Sequence, residues 1–76
     1  METIFVDFNN ADTYGRVRLN TIGTFESIKE KNIELIESKQ VQLDDEDSLR
    51  NIGTFTFSET ENIWVAEIDW KNFIHY

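Results

Sequence analysis

At 76 residues and 9.0 kDa the chain is about half a typical domain long, which predicts one domain over residues 1–76. Fifteen acids against seven bases leave a net charge of −8, while 39% hydrophobic and 13% aromatic residues predict a folded chain rather than a disordered one. The lack of Cys excludes a disulfide framework, a thiolate metal site and a cysteine nucleophile, and a single histidine, His75, excludes a multi-histidine zinc site. No cofactor and no bound metal are expected.

No apolar run approaches the roughly 18 residues of a membrane span, and no basic-then-apolar leader precedes Ile4. The expectation is a soluble cytoplasmic protein that makes no membrane contact. A domain this short leaves a core worth only a few kcal/mol, about 3–5 at most. The ten aromatic residues are therefore expected to be mostly structural.

Apolar residues alternate along five segments, taken in chain order. Ile4, Val6 and Phe8 share one face; Val17 and Leu19 alternate with Arg16, Arg18 and Asn20. Val41 and Leu43 alternate with Gln40, Gln42 and Asp44. Phe55 and Phe57 alternate with Thr54, Thr56 and Ser58, and Trp64, Ala66, Ile68 and Trp70 with Val65, Glu67 and Asp69. A period of two marks half-buried strands. Trp64 and Trp70 are predicted to be buried together on one face.

One stretch departs from that period. From Thr24 to Asn32 the pair Phe25 and Ile28 stands at helical spacing, Thr24 is a candidate N-cap, and Asn32 can close the turn in a left-handed conformation. One or two helical turns are predicted there. Polar loops are predicted over 9–15, 44–51 and 58–62, the last a hairpin in which Asn62 takes a left-handed conformation. The tetrapeptide Ile22-Gly23-Thr24-Phe25 recurs as Ile52-Gly53-Thr54-Phe55. Two copies are too few for a repeat architecture and predict two similar strand entries.

The fold expected is mostly β: a small five-stranded antiparallel curled sheet or partly open barrel with one short helical turn. The stretch from Val41 through Gly53–Ser58 to Trp64–Trp70 resembles the strand–hairpin–strand half of Src-homology-3-like small barrels, over about half the chain. Pro is absent and the tryptophans fall on the apolar face, so the peptide groove of such barrels is not implied. Separately, Ile4-Phe5-Val6-Asp7-Phe8-Asn9-Asn10 with Gly15–Leu19 is similar to the start of short uncharacterised bacterial proteins, which implies a bacterial origin and no activity.

Charge is unevenly placed. Residues 1–43 hold seven acids and five bases, whereas residues 44–76 hold eight acids and two bases. The run Asp44-Asp45-Glu46-Asp47 reads as a solvated turn and fails the EF-hand pattern, with Arg50 where the sixth-position Gly belongs. Asp44, Asp45, Glu46 and Asp47, with Glu59 and Glu61, are the candidate partner-binding residues. They form one patch only if curvature brings together loops that leave opposite ends of one strand. Arg16 and Arg18 share a face and are expected to pair with acids across the sheet, for example from the last strand. Direct nucleic-acid binding is disfavoured, because such a surface repels phosphate.

Catalysis has little support, and no enzymatic activity is expected. No serine has a candidate base, and Glu67 with Asp69 sit at i, i+2 on a strand with no predicted pocket. The function expected is a non-catalytic small acidic protein-binding or accessory domain that contacts a protein with a basic surface. The alternative is a nucleic-acid-mimicking inhibitor of a basic nucleic-acid-binding protein.

Overall fold

A computed structural model describes residues 1–76. Strand β1 (Thr3–Phe5) is followed by β2 (Val17–Arg18), helix α1 (Ile22–Glu30), β3 (Gln40–Asp44), β4 (Leu49–Ser58), β5 (Ile63–Glu67) and β6 (Ile74–His75). The strands hydrogen-bond in the order β1-β3-β4-β5-β2, and β6 pairs with the beginning of β4. The result is a curled, open half-barrel, mostly β with one short helix, as the alternation predicts.

One pairing departs from the antiparallel expectation. β1 runs parallel to β3, with Ile4 opposite Leu43. Parallel neighbours need a long crossover, and the chain supplies it through β2 and α1 before returning to the sheet. The other ladders are antiparallel.

Register explains the core. Ile4, Leu43 and Asn51 form one cross-strand row, Val41 faces Gly53, and Phe55, Ala66 and Val17 form another row. All are buried on the inner face. Gly53 is central to the curl: a Cβ there would stand 2.6 Å from Leu43 Cδ1 and 3.1 Å from Ala66 Cβ. Side chains from both neighbouring strands thus close over a position that must stay empty. Gly53→Ala is expected to cost about 1–3 kcal/mol by overpacking, read as a fall in the urea midpoint at unchanged slope.

The core is more aliphatic than the ten aromatics suggest. Only Phe8 and Phe55 among them are buried, and only Phe55 completely. Trp64 is half-buried against the core and meets exposed Phe57 edge-on at 5.5 Å. Trp70 is 44% exposed, so the expectation of two buried tryptophans is corrected. β5 ends at Glu67 and the chain turns at Asp69, whose carboxylate accepts the Lys71 N–H, so alternation stops before it reaches Trp70. Its indole Nε1–H instead donates to the Gly15 carbonyl at 2.6 Å.

The helix begins earlier than predicted. Thr21, in extended conformation, is the N-cap and accepts the Thr24 N–H, which leaves Thr24 inside the first turn and buried. Asn32 has φ 54°, Asn32 N–H bonds Lys29 O and Ile33 N–H bonds Ile28 O, a Schellman ending as the sequence suggested. Asn62 has φ 58°, as expected of the hairpin. The two Ile-Gly-Thr-Phe copies are not similar strand entries. The first opens α1 and the second lies in the middle of β4.

Both sheet edges are covered. Along β1, Ser27 Oγ from α1 accepts the Phe5 N–H at 3.0 Å, and Lys31 Nζ from the helix C-cap donates to the Thr3 carbonyl. Along β2, the segment 10–12 bonds back through Arg18 N–H to Asn10 O and Asp12 N–H to Arg16 O. Where β5 has left β4 and β6 has not yet joined it, Asn51 fills the gap. Its buried carboxamide donates to the Asp69 carbonyl and accepts the Ile52 N–H. Asn51→Ala strands both groups and is expected to cost about 1–3 kcal/mol, measured by chemical denaturation.

Candidate protein-binding surface

The acidic run after β3 is not four equivalent solvated carboxylates. Asp44 closes β3 with its side chain buried among partners: Oδ2 accepts Arg50 Nε at 3.0 Å, and Oδ1 accepts the Glu46 N–H and the Tyr76 hydroxyl. Burial alone would raise its pKa, but these donors outweigh that and hold it below the ordinary range. Asp45 Oδ1 accepts three backbone N–H groups, from Asp47, Ser48 and Leu49. The Leu49 N–H contributes most to holding its pKa low. Both acids are consumed in building the turn, which leaves Glu46 and Asp47 exposed and free.

The second loop is likewise divided. Glu61 receives Arg18 Nε and Nη2 at 2.7 and 2.8 Å, a fork-to-fork pair that lowers its pKa, while Glu59 is exposed. Arg16 pairs with Asp12 at 2.8 Å. Burial would raise the Asp12 pKa, but the Arg16 N–H and guanidinium and the Tyr14 N–H bring it below normal. The two arginines are thus paired with acids, as expected, but from the loops rather than from the last strand. Loops fold onto the sheet's outer face, a placement that strand periodicity does not encode.

The six candidate residues do not make one patch. Asp44 to Asp47 precede β4 and Glu59 with Glu61 follow it, and β4 is ten residues long. At about 3.3 Å per residue that is about 30 Å along the strand, in a molecule 33 Å in its longest dimension. The separation exceeds a Debye length of about 8 Å several-fold.

What the sequence did not indicate is a second acidic cluster built around Phe5. A groove of about 450 Å³ between α1, β1 and the turn after β3 is lined by Glu26, Glu30, Asp44 and Glu46, with Lys31 among them. A smaller one of about 360 Å³ is lined by Asp7, Asp45 and Asp47. Phe5 and Gly23 line both. A Cβ on Gly23 would come within 2.8 Å of the Phe5 ring, so the glycine lets helix and strand approach. Only the crossover brings helix acids Glu26 and Glu30 beside the acids of the turn.

No known protein family, curated protein or solved structure matches the chain. No group of three or more His, Asp or Glu side chains converges to hold a metal ion. No helix is long and apolar enough to cross a membrane.

The other end of the turn carries the last residues of the chain. β6 sets Leu49 opposite His75 and Arg50 opposite Ile74, and Tyr76 N–H donates to the Ser48 carbonyl at 2.9 Å. The Arg50 guanidinium lies 4.5 Å from the Tyr76 ring centroid. Ile74, His75 and Tyr76 are all exposed, so the last side chain packed on the core is Phe73, edge-on to Phe8 at 5.0 Å. Fixing a residue's backbone costs about 1–2 kcal/mol, and a backbone hydrogen bond returns about 0.5–1.5. Residues 74–76 therefore sit close to balance.

Proposed function

We propose that the chain is a non-catalytic protein-binding domain that receives a basic segment of another protein in the grooves beside Phe5. The observation that carries this reading is the convergence there of exposed carboxylates, Glu26, Glu30 and Glu46 on one side and Asp47 with Asp7, which accepts only the Asn9 N–H, on the other. They stand around an aromatic floor, a combination suited to arginine or lysine side chains, whose stems pack and whose heads pair. Complementary charge also speeds encounter with such a partner. The reading keeps a cytoplasmic setting, on the ground that the chain has no Cys. The resemblance proposed for β3–β5, to half a Src-homology-3-like barrel, is a fold-level one and brings no ligand to this reading.

The nucleic-acid-mimic reading needs a continuous acidic face. The separation of the two loops along β4 works against it, and no observation favours it.

The test is a titration of a fluorescent arginine-rich peptide, followed by anisotropy at two salt concentrations. Paired Glu26→Gln and Glu30→Gln changes are expected to weaken binding about tenfold, roughly 1.4 kcal/mol, and paired Glu59→Gln and Glu67→Gln changes, which remove the same charge at exposed sites outside the grooves, to leave it nearly unchanged. Equal losses from both variants would mean attraction by net charge alone and would end the proposal.

A further inference from the structure

We propose that residues 74–76 are a displaceable strap over a strand-addition site at the start of β4, and that this site takes an extended peptide carrying a tyrosine. The proposal does not rest on binding in the grooves beside Phe5, although Asp44 lines both places. It rests on the way the chain occupies its own edge.

β5 pairs with β4 only from Thr54 onward, and the Asn51 carboxamide closes the gap before it. The edge of β4 at Leu49 and Arg50, with the Ser48 carbonyl beside it, is therefore covered by residues 74–76 alone. None of those three side chains enters the core, and Phe73 remains packed on Phe8 when they leave. Opening here breaks the β6 ladder and the Tyr76 contacts to Asp44 and Arg50 and leaves the core packing in place.

The strap also shows what the site recognises. An antiparallel segment satisfies the main-chain groups of β4, the general mode of strand addition. Specificity comes from the residue that follows the paired ones. Its ring stacks on the Arg50 guanidinium and its hydroxyl donates to Asp44 Oδ1, a carboxylate that is itself buried. Phenylalanine supplies the ring without the donor. An acidic residue is repelled by Asp44 and Asp45. Tyrosine answers both demands, and a partner segment ending its strand with one competes for the same groups.

Hydrogen exchange on the full chain tests the opening. The amides of Ile74 and Tyr76 are expected to exchange at least about 100-fold faster than those of Phe55 and Phe57, as local rather than global events. Tyr76→Ala is expected to speed the strap amides further and leave the β4–β5 amides unchanged. A synthetic Lys-Asn-Phe-Ile-His-Tyr peptide at millimolar concentration should then shift the amide resonances of Ser48 to Arg50 in that variant, and the same peptide ending in Ala should not. Tyr76→Phe, which keeps the ring, serves the same experiment if Tyr76→Ala fails to fold. Strap amides that exchange together with the β4–β5 amides, or no response at Ser48 to Arg50, would overturn the proposal.

Discussion

Phe55→Ala is expected to leave this domain unfolded at room temperature. Phe55 is fully buried at the centre of β4, in one row with Ala66 and Val17, and β4 is bonded on both sides. Truncating a buried phenylalanine costs about 3–5 kcal/mol, which matches all that a core of this size supplies, about 3–5. The control is Trp70→Ala. Its ring is 44% exposed and lies over Gly15 and Phe73, so that variant is expected to stay folded and cooperative. Far-ultraviolet circular dichroism with a urea titration separates the two. A folded Phe55→Ala chain would show that the rows do not carry the fold.

The second large effect is acid sensitivity. Asp12, Asp44, Asp45 and Glu61 all have folded-state pKa values below their ordinary ones. A group of this kind contributes stability that is fully present above its unfolded value, about 3.9 for Asp and 4.3 for Glu. That contribution is lost as pH falls through the lower, folded value. The urea midpoint is thus expected to hold from pH 7 to about 5, begin to fall near 4, and drop steeply below that. Asp45→Asn should lower stability at pH 7 and flatten the acid limb, because it removes one of the titrating groups. A midpoint unchanged between pH 6 and 3 would count against these hydrogen bonds.

How far the sequence foretold this depended on the range of the interaction. The segments around Val41, Phe55 and Ala66 show a period of two because each meets its neighbour through a short connection, so local pattern and final pairing agree. The left-handed turns at Asn32 and Asn62 were legible for the same reason: a short polar side chain tolerates positive φ wherever it sits. Ile-Gly-Thr-Phe was not, since one copy follows Thr21, which caps a helix, and the other lies between two strands. Tertiary surroundings overrode identical local preferences.

The site is less legible in the sequence. A charge count treats every carboxylate alike, whereas Asp44 and Asp45 spend theirs on Arg50, Tyr76 and the turn's backbone. Nothing in the spacing of Glu26 and Glu30 places them beside Glu46. That requires knowing that β1 and β3 run parallel.

The parallel pairing has a consequence for synthesis. β1 finds its neighbour only after residues 6–39 have been made, and β2 lies beside β5, which is finished only at Glu67. A chain growing from its amino end therefore presents Ile4, Val6, Phe8, Val17 and Leu19 before any strand exists to receive them. Closing such long loops is entropically costly until partners are in place. The contiguous strands β3, β4 and β5 can pair as soon as they emerge, and the earlier half then folds down over them. The part translated first is the part that settles last.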